Sequence, residues 1–284
     1  IVPAPYCSLM ACCGSDSGSS GNSSSKDSGS VPTLVTLGQE LRFKLSPLCL
    51  PKECCTEFVL PKGKPKCGLV WMHGLGDDES GWADMLEDEF MVPAALGPCK
   101  FILPRAPRQR SSCNDGEILT SWFDISRLPI SHRSAPHHGC SIEEALSSCG
   151  RVHAAIDKLV NEGIAPQNIV VGGFSQGGAM AMLSALTHPQ RLGGTIVFSG
   201  ICFFPDLVMK LAHYPENQGM QVFWGHGTRD EVLHPDLQDE GVEILQQAGL
   251  KVTSKKYMVE HGPTTQEIKD AAGFFAATQA APLK

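Results

Sequence analysis

The sequence contains no apolar run of the roughly 18 residues that a membrane-spanning helix needs, and it contains no long run of basic residues. The first absence argues against a transmembrane protein and predicts a soluble one. Its 23 Lys and Arg residues are outnumbered by 30 Asp and Glu residues, which gives a formal net charge of −7. Neither a nucleic acid nor an anionic membrane surface is therefore an expected partner.

The beginning of the sequence also lacks the basic start and the long apolar core of a secretory signal peptide. The chain has 12 cysteines, but several lie in predicted strands or helices, and others form the adjacent pairs Cys12-Cys13 and Cys54-Cys55. This distribution favours reduced thiols over a secreted disulfide framework. We therefore predict a cytoplasmic protein.

Metal-binding motifs are a third absence. His132, His137, His138 and Cys140 lie close together in residues 108–140, a long polar stretch with little periodicity. Their spacing matches no familiar metal site, so a solvated loop is the favoured interpretation and no metal or other cofactor is predicted. A long irregular excursion within a compact domain is usually functional or disordered.

The N-terminal region has the composition of a disordered segment, because residues 14–30 are almost entirely Ser, Gly, Asn, Asp and Lys. We predict a disordered tail over residues 1–33 and a single domain over residues 34–284. If the chain starts at Met10, the pair Cys12-Cys13 stands at the N-terminus, where reversible S-palmitoylation would associate the tail with membranes. Unmodified thiols are the favoured alternative, since no polybasic patch accompanies the pair as a second anchor.

The chain is organised around the stretch from Ile169 to Leu183. An apolar run leads into Gly-Gly-Phe-Ser-Gln-Gly-Gly at residues 172–178, and small and apolar residues follow. This order predicts a buried strand, a tight turn that carries Ser175, and a helix. In such a nucleophile elbow a strained backbone lifts the serine hydroxyl clear of the sheet, and Gly173 and Gly177 let strand and helix approach closely. Ser175 is therefore the candidate nucleophile.

Strand-like and helix-like segments alternate around this motif. Predicted strands are residues 56–60, 67–72, 101–103, 169–171, 194–200, 221–225 and 251–259. Predicted helices are residues 80–96, 141–162, 179–183, 236–248 and 265–277. Ser141 is expected to cap its helix, with Glu144 closing a capping box. The alternation is typical of the α/β class, with a mostly parallel central sheet and helices on both faces.

A second chemical feature follows the predicted strand at residues 67–72, which runs into His73-Gly74-Leu75-Gly76-Asp77. Enzymes with a nucleophile elbow place one amide of the oxyanion hole on such a turn. We assign this amide to Leu75 and the second one to Gln176, the residue after the serine. Two backbone N–H donors would stabilise a tetrahedral intermediate, and losing one typically costs about 10²–10³ in rate.

A serine hydroxyl becomes an effective nucleophile only when a base takes its proton and an acid orients that base. With a nucleophile elbow the chain order is serine, acid, histidine, each beyond the end of a strand. Asp230 is the favoured acid, and Glu231 and Asp206 are weaker candidates. His261 follows the last predicted strand and is the favoured base, whereas His226 precedes the acid and has the wrong order.

Five motifs occur together and in this order: His73-Gly74-Leu75-Gly76-Asp77, Pro104-Arg105-Ala106-Pro107, Ser121-Trp122-Phe123-Asp124, Gly172-Gly173-Phe174-Ser175-Gln176-Gly177-Gly178 and His226-Gly227-x-x-Asp230. Over roughly residues 67–275 the chain resembles the acyl-protein thioesterases of the phospholipase/carboxylesterase family. The resemblance implies an α/β-hydrolase fold without a large cap domain. It also implies that Ser175, Asp230 and His261 are catalytic and that Leu75 and Gln176 form the oxyanion hole. Trp122 and Phe123 would line or cover an apolar acyl groove.

The resemblance further implies hydrolysis of acyl thioesters, typically S-palmitoyl-cysteine in proteins, through an acyl-enzyme. Lysophospholipids or short-chain esters are the alternative substrates, and an inactive acyl-binding scaffold is the remote alternative. S-acylated proteins or lipid esters are the expected partners, with transient contact at a membrane surface, and the oligomeric state is left open. The His-rich segment 127–140 departs from the usual family pattern, which bears on substrate preference and not on the triad.

Overall fold

The structure is a computed structural model that describes residues 55–90, 96–131 and 139–280. The strands in these ranges are β1 (Cys55–Leu60), β2 (Cys67–Met72), β3 (Cys99–Pro104), β4 (Arg108–Ser111), β5 (Glu117–Thr120), β6 (Ile169–Phe174), β7 (Gly194–Phe198), β8 (Gln221–Gly227) and β9 (Lys251–Tyr257). The helices are α1 (Glu79–Asp88), α2 (Ile142–Asn161), α3 (Gln176–Thr187), α4 (Pro205–Ala212), α5 (Asp236–Gln247) and α6 (Thr265–Ala280).

Seven of the strands form one sheet in the order β1-β3-β2-β6-β7-β8-β9. At one edge β1 pairs antiparallel with β3, and the remaining pairings of this sheet are parallel. The separate pair β4 and β5 forms an antiparallel hairpin. Because parallel strands share one direction, the carboxyl ends of β2, β6, β8 and β9 open on the same edge of the sheet. The loops that carry Leu75, Ser175, Asp230 and His261 start at this edge.

The sheet is covered on both faces, which explains the near-continuous apolar runs of its central strands. Strands β2 and β7 are buried along their whole length. One apolar cluster packs α2, α3, α4 and α5 against one face, and a second cluster packs α1 and α6 against the other face. Strands buried on both sides lose the alternation of apolar and polar residues that marks a half-exposed strand. The predicted α/β-hydrolase arrangement, with a mostly parallel sheet between helices, is confirmed.

Two elements of the structure have no counterpart in the sequence prediction. The hairpin of β4 and β5 lies within the stretch interpreted as irregular, since its strands are four residues each and largely polar. Helix α4 has eight residues, begins at Pro205 and buries Leu207, Val208, Leu211 and Ala212. A proline at the first helical position followed by this spacing is a helix signal, so α4 was within reach of sequence analysis.

Helix α1 ends earlier than predicted, and the Glu144 carboxylate near the start of α2 has a different partner from the predicted one. Helix α1 ends at Asp88, whereas the periodicity predicted a helix to residue 96. Ser141 caps α2 as predicted, since its hydroxyl accepts the Glu144 N–H at 3.2 Å. The Glu144 carboxylate, predicted to close a capping box, accepts the Asp124 N–H at 2.6 Å. It thereby ties α2 to the loop that follows β5.

Several sequence predictions fall outside the described residues. These are the disordered tail over residues 1–33, the modification of Cys12 and Cys13, and the histidines at positions 132, 137 and 138. Within the described part of the chain, no helix combines the length and the apolar character that crossing a membrane would require.

Candidate active site

Ser175 lies on the sharp turn between β6 and α3, with φ at 55° and ψ at −119°. A non-glycine residue at positive φ is strained, and the turn is held because the Ser175 N–H donates to the Phe198 carbonyl at 2.8 Å. Glycines on either side allow the close approach, since a Cβ at Gly173 or at Gly177 would collide with backbone atoms of the facing segment. The local sequence therefore builds the nucleophile elbow that it predicts.

The structure brings Ser175, His261 and Asp230 into one chain of hydrogen bonds. The Nε2 atom of His261 lies 2.9 Å from the Ser175 hydroxyl oxygen, and its Nδ1 atom lies 2.7 Å from the Asp230 carboxylate. The three residues come from the loops after β6, β8 and β9, in the order expected from the sequence. Of the weaker acid candidates, Glu231 is exposed beside Asp230, and Asp206 is exposed in the first turn of α4.

The rings and loops around His261 are closely packed. Phe174 lies against the imidazole, with ring centroids 4.8 Å apart. The His261 loop crosses the end of β8 at Gly227, where a Cβ would collide with the carbonyl oxygens of Val259 and Glu260. Arg229 donates its N–H to the Val259 carbonyl at 3.0 Å. Gly227 thus lets the loop after β9, which carries His261, form a hydrogen bond with the loop after β8, which carries Asp230.

The Asp230 carboxylate is completely buried, and both of its oxygens accept hydrogen bonds. One oxygen accepts the N–H groups of Val232 at 2.9 Å and Leu233 at 2.8 Å. The other faces two imidazoles, His261 at 2.7 Å and His226 at 3.2 Å. Burial acts to raise the pKa of Asp230, but the hydrogen bonds from His226 and His261 outweigh it and hold the pKa well below its usual range. Asp230 is therefore ionised throughout the neutral range.

The loop at residues 73–77 lies beside the nucleophile, because a Cβ built on Gly74 would be 3.5 Å from the Ser175 Cβ. Within the described residues, the N–H groups of Leu75 and Gln176 donate to no protein acceptor. An amide that is left unpaired beside a nucleophile suits an oxyanion. These are the two donors that the sequence analysis assigned to the oxyanion hole.

His73 supports this loop from below, and it is almost entirely buried. Its Nε2 atom accepts the Ala106 N–H at 3.0 Å, so the proton is on Nδ1, which donates to the Gly74 carbonyl at 2.7 Å. Burial lowers the pKa of His73, which keeps the ring neutral with this proton arrangement. The hairpin adds a further support, because the Gly76 N–H donates to the Thr120 carbonyl at 2.8 Å.

The Gln176 side chain joins the elbow to the loop at residues 121–123, a role that the sequence analysis missed. Its oxygen accepts the Trp122 N–H at 2.9 Å, and its nitrogen donates to the Phe123 carbonyl at 2.6 Å. The Trp122 indole N–H donates to the His73 carbonyl at 2.9 Å. Trp122 is completely buried, and its indole braces the loop at residues 73–77. Its place along an acyl groove stays a prediction.

Phe123 borders a small cavity, and its place along an acyl groove stays a prediction. The cavity is lined by Phe123, Ala179, Met180, Met182, Leu183, Ile201, Phe203, Phe204 and Val208. Its wall starts one helical turn beyond the nucleophile, since the Ala179 N–H donates to the Ser175 carbonyl. The cavity measures about 10 Å³, which is room for about one water molecule. Phe204 closes it from a strained backbone, with φ at 59°.

In the described residues no group of three His, Cys, Asp or Glu side chains is arranged to hold a metal ion. Cys140, the described member of the His-rich segment, is half-buried, and burial raises the pKa of its thiol to about 12. A thiol that resists deprotonation is a poor metal ligand.

Comparisons with known proteins place these features in a family. A family model described as phospholipase/carboxylesterase matches residues 54–279. An Oryza sativa subsp. japonica protein named as a probable carboxylesterase is 40% identical over 66% of this chain and 68% of its own length. Acyl-protein thioesterase 1 of Cryptococcus neoformans var. neoformans serotype D is 33% identical over 69% of this chain and 80% of its own length.

A solved structure supports the same assignment. The crystal structure of Arabidopsis thaliana SOBER1 is similar with a TM-score of 0.68 and 29% identity, covering 75% of this chain and 98% of that chain. The matched residues 54–279 include every element of the seven-stranded sheet and all five loops that form the candidate site. The chain belongs to the phospholipase/carboxylesterase family.

Proposed function

We propose that the chain hydrolyses acyl thioesters, including S-palmitoyl-cysteine of acylated proteins, through an acyl-enzyme on Ser175. As a family member it is a serine hydrolase with esterase or thioesterase activity. The observation that carries the proposal is the hydrogen-bonded chain from Ser175 through His261 to Asp230, with unpaired amides beside it. The name of the Cryptococcus relative, acyl-protein thioesterase 1, supports the choice of a thioester.

The geometry supports a two-step acyl transfer. His261 Nε2, 2.9 Å from the hydroxyl oxygen, takes the proton of Ser175 as the oxygen attacks the acyl carbon. The amides of Leu75 and Gln176 hold the oxyanion of the tetrahedral intermediate. Protonated His261 then gives its proton to the leaving thiol. In the second step His261 activates water, which attacks the acyl-enzyme and releases the fatty acid and Ser175.

Asp230 contributes by orienting and charge. Its buried carboxylate bonds to Nδ1 of His261 at 2.7 Å, which fixes the neutral ring with its acceptor nitrogen towards Ser175. The same carboxylate stabilises the imidazolium that forms when the serine proton is taken. Since Asp230 stays ionised well below neutral pH, this support is present across the working range of such an enzyme.

The proposal is tested with Ser175→Ala on acyl-thioester substrates. We expect kcat to fall by about 10⁶, because the nucleophile is removed while the rest of the site stays intact. Thermal unfolding of the variant should match that of the wild type. Labelling by a fluorophosphonate probe should occur on the wild type and be lost in the variant. Retained turnover by the variant, or absence of labelling in the wild type, would contradict the proposal.

A second candidate is hydrolysis of short-chain esters. The Oryza relative named as a probable carboxylesterase agrees with this alternative. A panel of thioesters and oxygen esters with acyl chains of rising length separates the two. A maximum of kcat/KM at short esters would favour the second candidate, and a maximum at long thioesters the first.

A further inference from the structure

The Asp230 carboxylate faces a second histidine that the proposed triad does not include. Nε2 of His226 lies 3.2 Å from the Asp230 oxygen that also bonds to His261. The same nitrogen lies 2.8 Å from the Leu233 carbonyl. His226 is completely buried, so water does not compete for either contact.

The proton of His226 can be assigned from these contacts. Both neighbours of Nε2, the Leu233 carbonyl and the Asp230 carboxylate, are acceptors. The nitrogen must therefore carry the proton and share it between them. The other ring nitrogen, Nδ1, is buried and has no hydrogen-bond partner in the described part of the chain. A buried nitrogen without a partner is unfavourable, so packing alone gives no reason for a histidine here.

The contacts of His226 attach the loop after β8, which carries Asp230, to the sheet. The Leu233 N–H donates to one Asp230 oxygen at 2.8 Å, while the Leu233 carbonyl accepts from His226. His226 itself belongs to β8, whose full length pairs with β9. The carboxylate is thus connected through one imidazole to a rigid strand and through the other to the nucleophile.

We propose that His226 is a positioning residue for the hydrolytic reaction. It orients the Asp230 carboxylate from strand β8, so that its second oxygen points at Nδ1 of His261. Without the Nε2 proton of His226, the carboxylate would rotate or draw in water, and His261 would lose its alignment with Ser175. His226 acts through Asp230 and does not touch the substrate. The inference rests on the proposed function, since it assigns Asp230 a part in that reaction.

The test compares two amides of different reach, His226→Gln and His226→Asn. The Gln side-chain nitrogen is as many bonds from the backbone as Nε2, so it can donate to Asp230. The Asn nitrogen corresponds to Nδ1 and falls short. We expect kcat for a thioester to fall about 10–100-fold in H226N, the usual size of an effect from a residue that orients an essential group. KM should change less than about 3-fold, because ground-state binding is untouched. H226Q should have a kcat at least about 5-fold above that of H226N and within about 10-fold of the wild type.

A buried histidine elsewhere supplies the control. His153 bonds to the Ser184 carbonyl at 2.9 Å on the far side of α3. His153→Asn should lower the thermal unfolding midpoint, as a lost buried hydrogen bond does, while its kcat stays within about 2-fold of the wild type. If H226N does not fold, a loss of kcat greater than about 10-fold in folded H226Q still overturns the positioning role.

The outcomes separate this inference from the proposed function. Equal kcat values for folded H226Q and H226N would overturn the positioning role, as would wild-type kcat in folded H226N or a loss greater than 10-fold in H226Q. A wild type that a fluorophosphonate probe does not label overturns the proposed function itself. Labelling of the wild type with a slow H226N and a recovered H226Q supports both.

Discussion

The two sides of Ser175 are held by different kinds of interaction. On the acid side, the loops after β8 and β9 are held by an ionised carboxylate and two imidazoles. On the oxyanion side, the loop at residues 73–77 is held by neutral groups, among them the Trp122 indole and the hairpin backbone. A misplaced charge on the acid side would disturb proton transfer directly. Loss of a neutral support on the oxyanion side would shift the oxyanion-hole amides by small distances, so it should lower kcat less.

The largest expected effect comes from breaking the charge on the acid side with Asp230→Asn. Asn can still accept the two backbone N–H groups, so the loop should keep its shape, but it cannot stabilise a positive imidazole. We expect kcat to fall about 10⁴-fold, as for loss of the charge in comparable triads. Steady-state kinetics on a thioester measures the fall, and circular dichroism checks the fold.

Its matched control is Asp206→Asn, which changes an exposed carboxylate on α4. This variant should retain kcat within about 2-fold of the wild type. A large loss in D206N together with a small loss in D230N would transfer the role of the acid to Asp206 and contradict the assignment.

A smaller effect is expected on the oxyanion side from Gln176→Glu. The substitution keeps the length of the side chain but replaces the nitrogen that donates to the Phe123 carbonyl with an oxygen. Two facing acceptors in a buried site should displace the loop at residues 121–123 and lower kcat about 10-fold. The free energy of unfolding should fall by about 1–3 kcal/mol. Steady-state kinetics and urea unfolding measure the two effects.

Gln190→Glu, at an exposed position after α3, provides the comparison. It introduces the same charge without touching a buried amide, so both kcat and the free energy of unfolding should stay close to wild type. If kcat fell as much in Q176E as in D230N, the acid side would not contribute more to kcat than the oxyanion side, contrary to the comparison above.

The smallest effect concerns a second buried carboxyl on the acid side, Glu267 at the start of α6. Neither of its oxygens has a hydrogen-bond partner in the described residues, and burial raises the pKa to about 8. Asp230 differs in its protonation, because four N–H donors face its carboxylate and keep that carboxylate ionised. The folded protein therefore holds Glu267 protonated. Below the unfolded pKa of about 4.5 the carboxyl is protonated in both states, so it does not change the free energy of unfolding. As the pH rises from 4.5 towards 8, only the unfolded state ionises, and the free energy of unfolding falls.

Glu267→Gln removes the ionisation that causes this loss. The variant should have the higher thermal unfolding midpoint at pH 8 and a difference that shrinks towards pH 4, while its kcat changes little. Thermal unfolding of both proteins from pH 4 to pH 9 measures the trend. A midpoint difference that did not change with pH would show that Glu267 does not titrate in this range.

Much of the site could be predicted because chain order and local pattern carry the information. Ser175 was identified from a strand, a glycine-flanked turn and a helix, all between near neighbours in sequence. Asp230 and His261 followed from their order after two further strands. The backbone amides of Leu75 and Gln176 followed from the same logic, and the structure leaves both without a protein acceptor.

Side chains whose direction depends on distant partners could not be predicted. The Trp122 indole N–H donates to the His73 carbonyl 49 residues away, and the ring is buried. The family resemblance implied only that Trp122 lines or covers an acyl groove, which stays a prediction. His226 was set aside because order alone excludes it as the base. The order of residues in the chain cannot predict that the His226 ring, on strand β8, faces the Asp230 carboxylate.

The sequence by itself determined the alternating strands and helices, the elbow at Ser175 and the order of its partners. Apolar periodicity and the steric demands of glycine act over a few residues, so they can be read along the chain. Only the tertiary structure decided which groups meet across the sheet edge: Ser175 with His261, 86 residues apart, and Asp230 with its two imidazoles. These contacts depend on how strand ends and loops converge in three dimensions, and the hydrogen bonds form only once burial has removed water from the site.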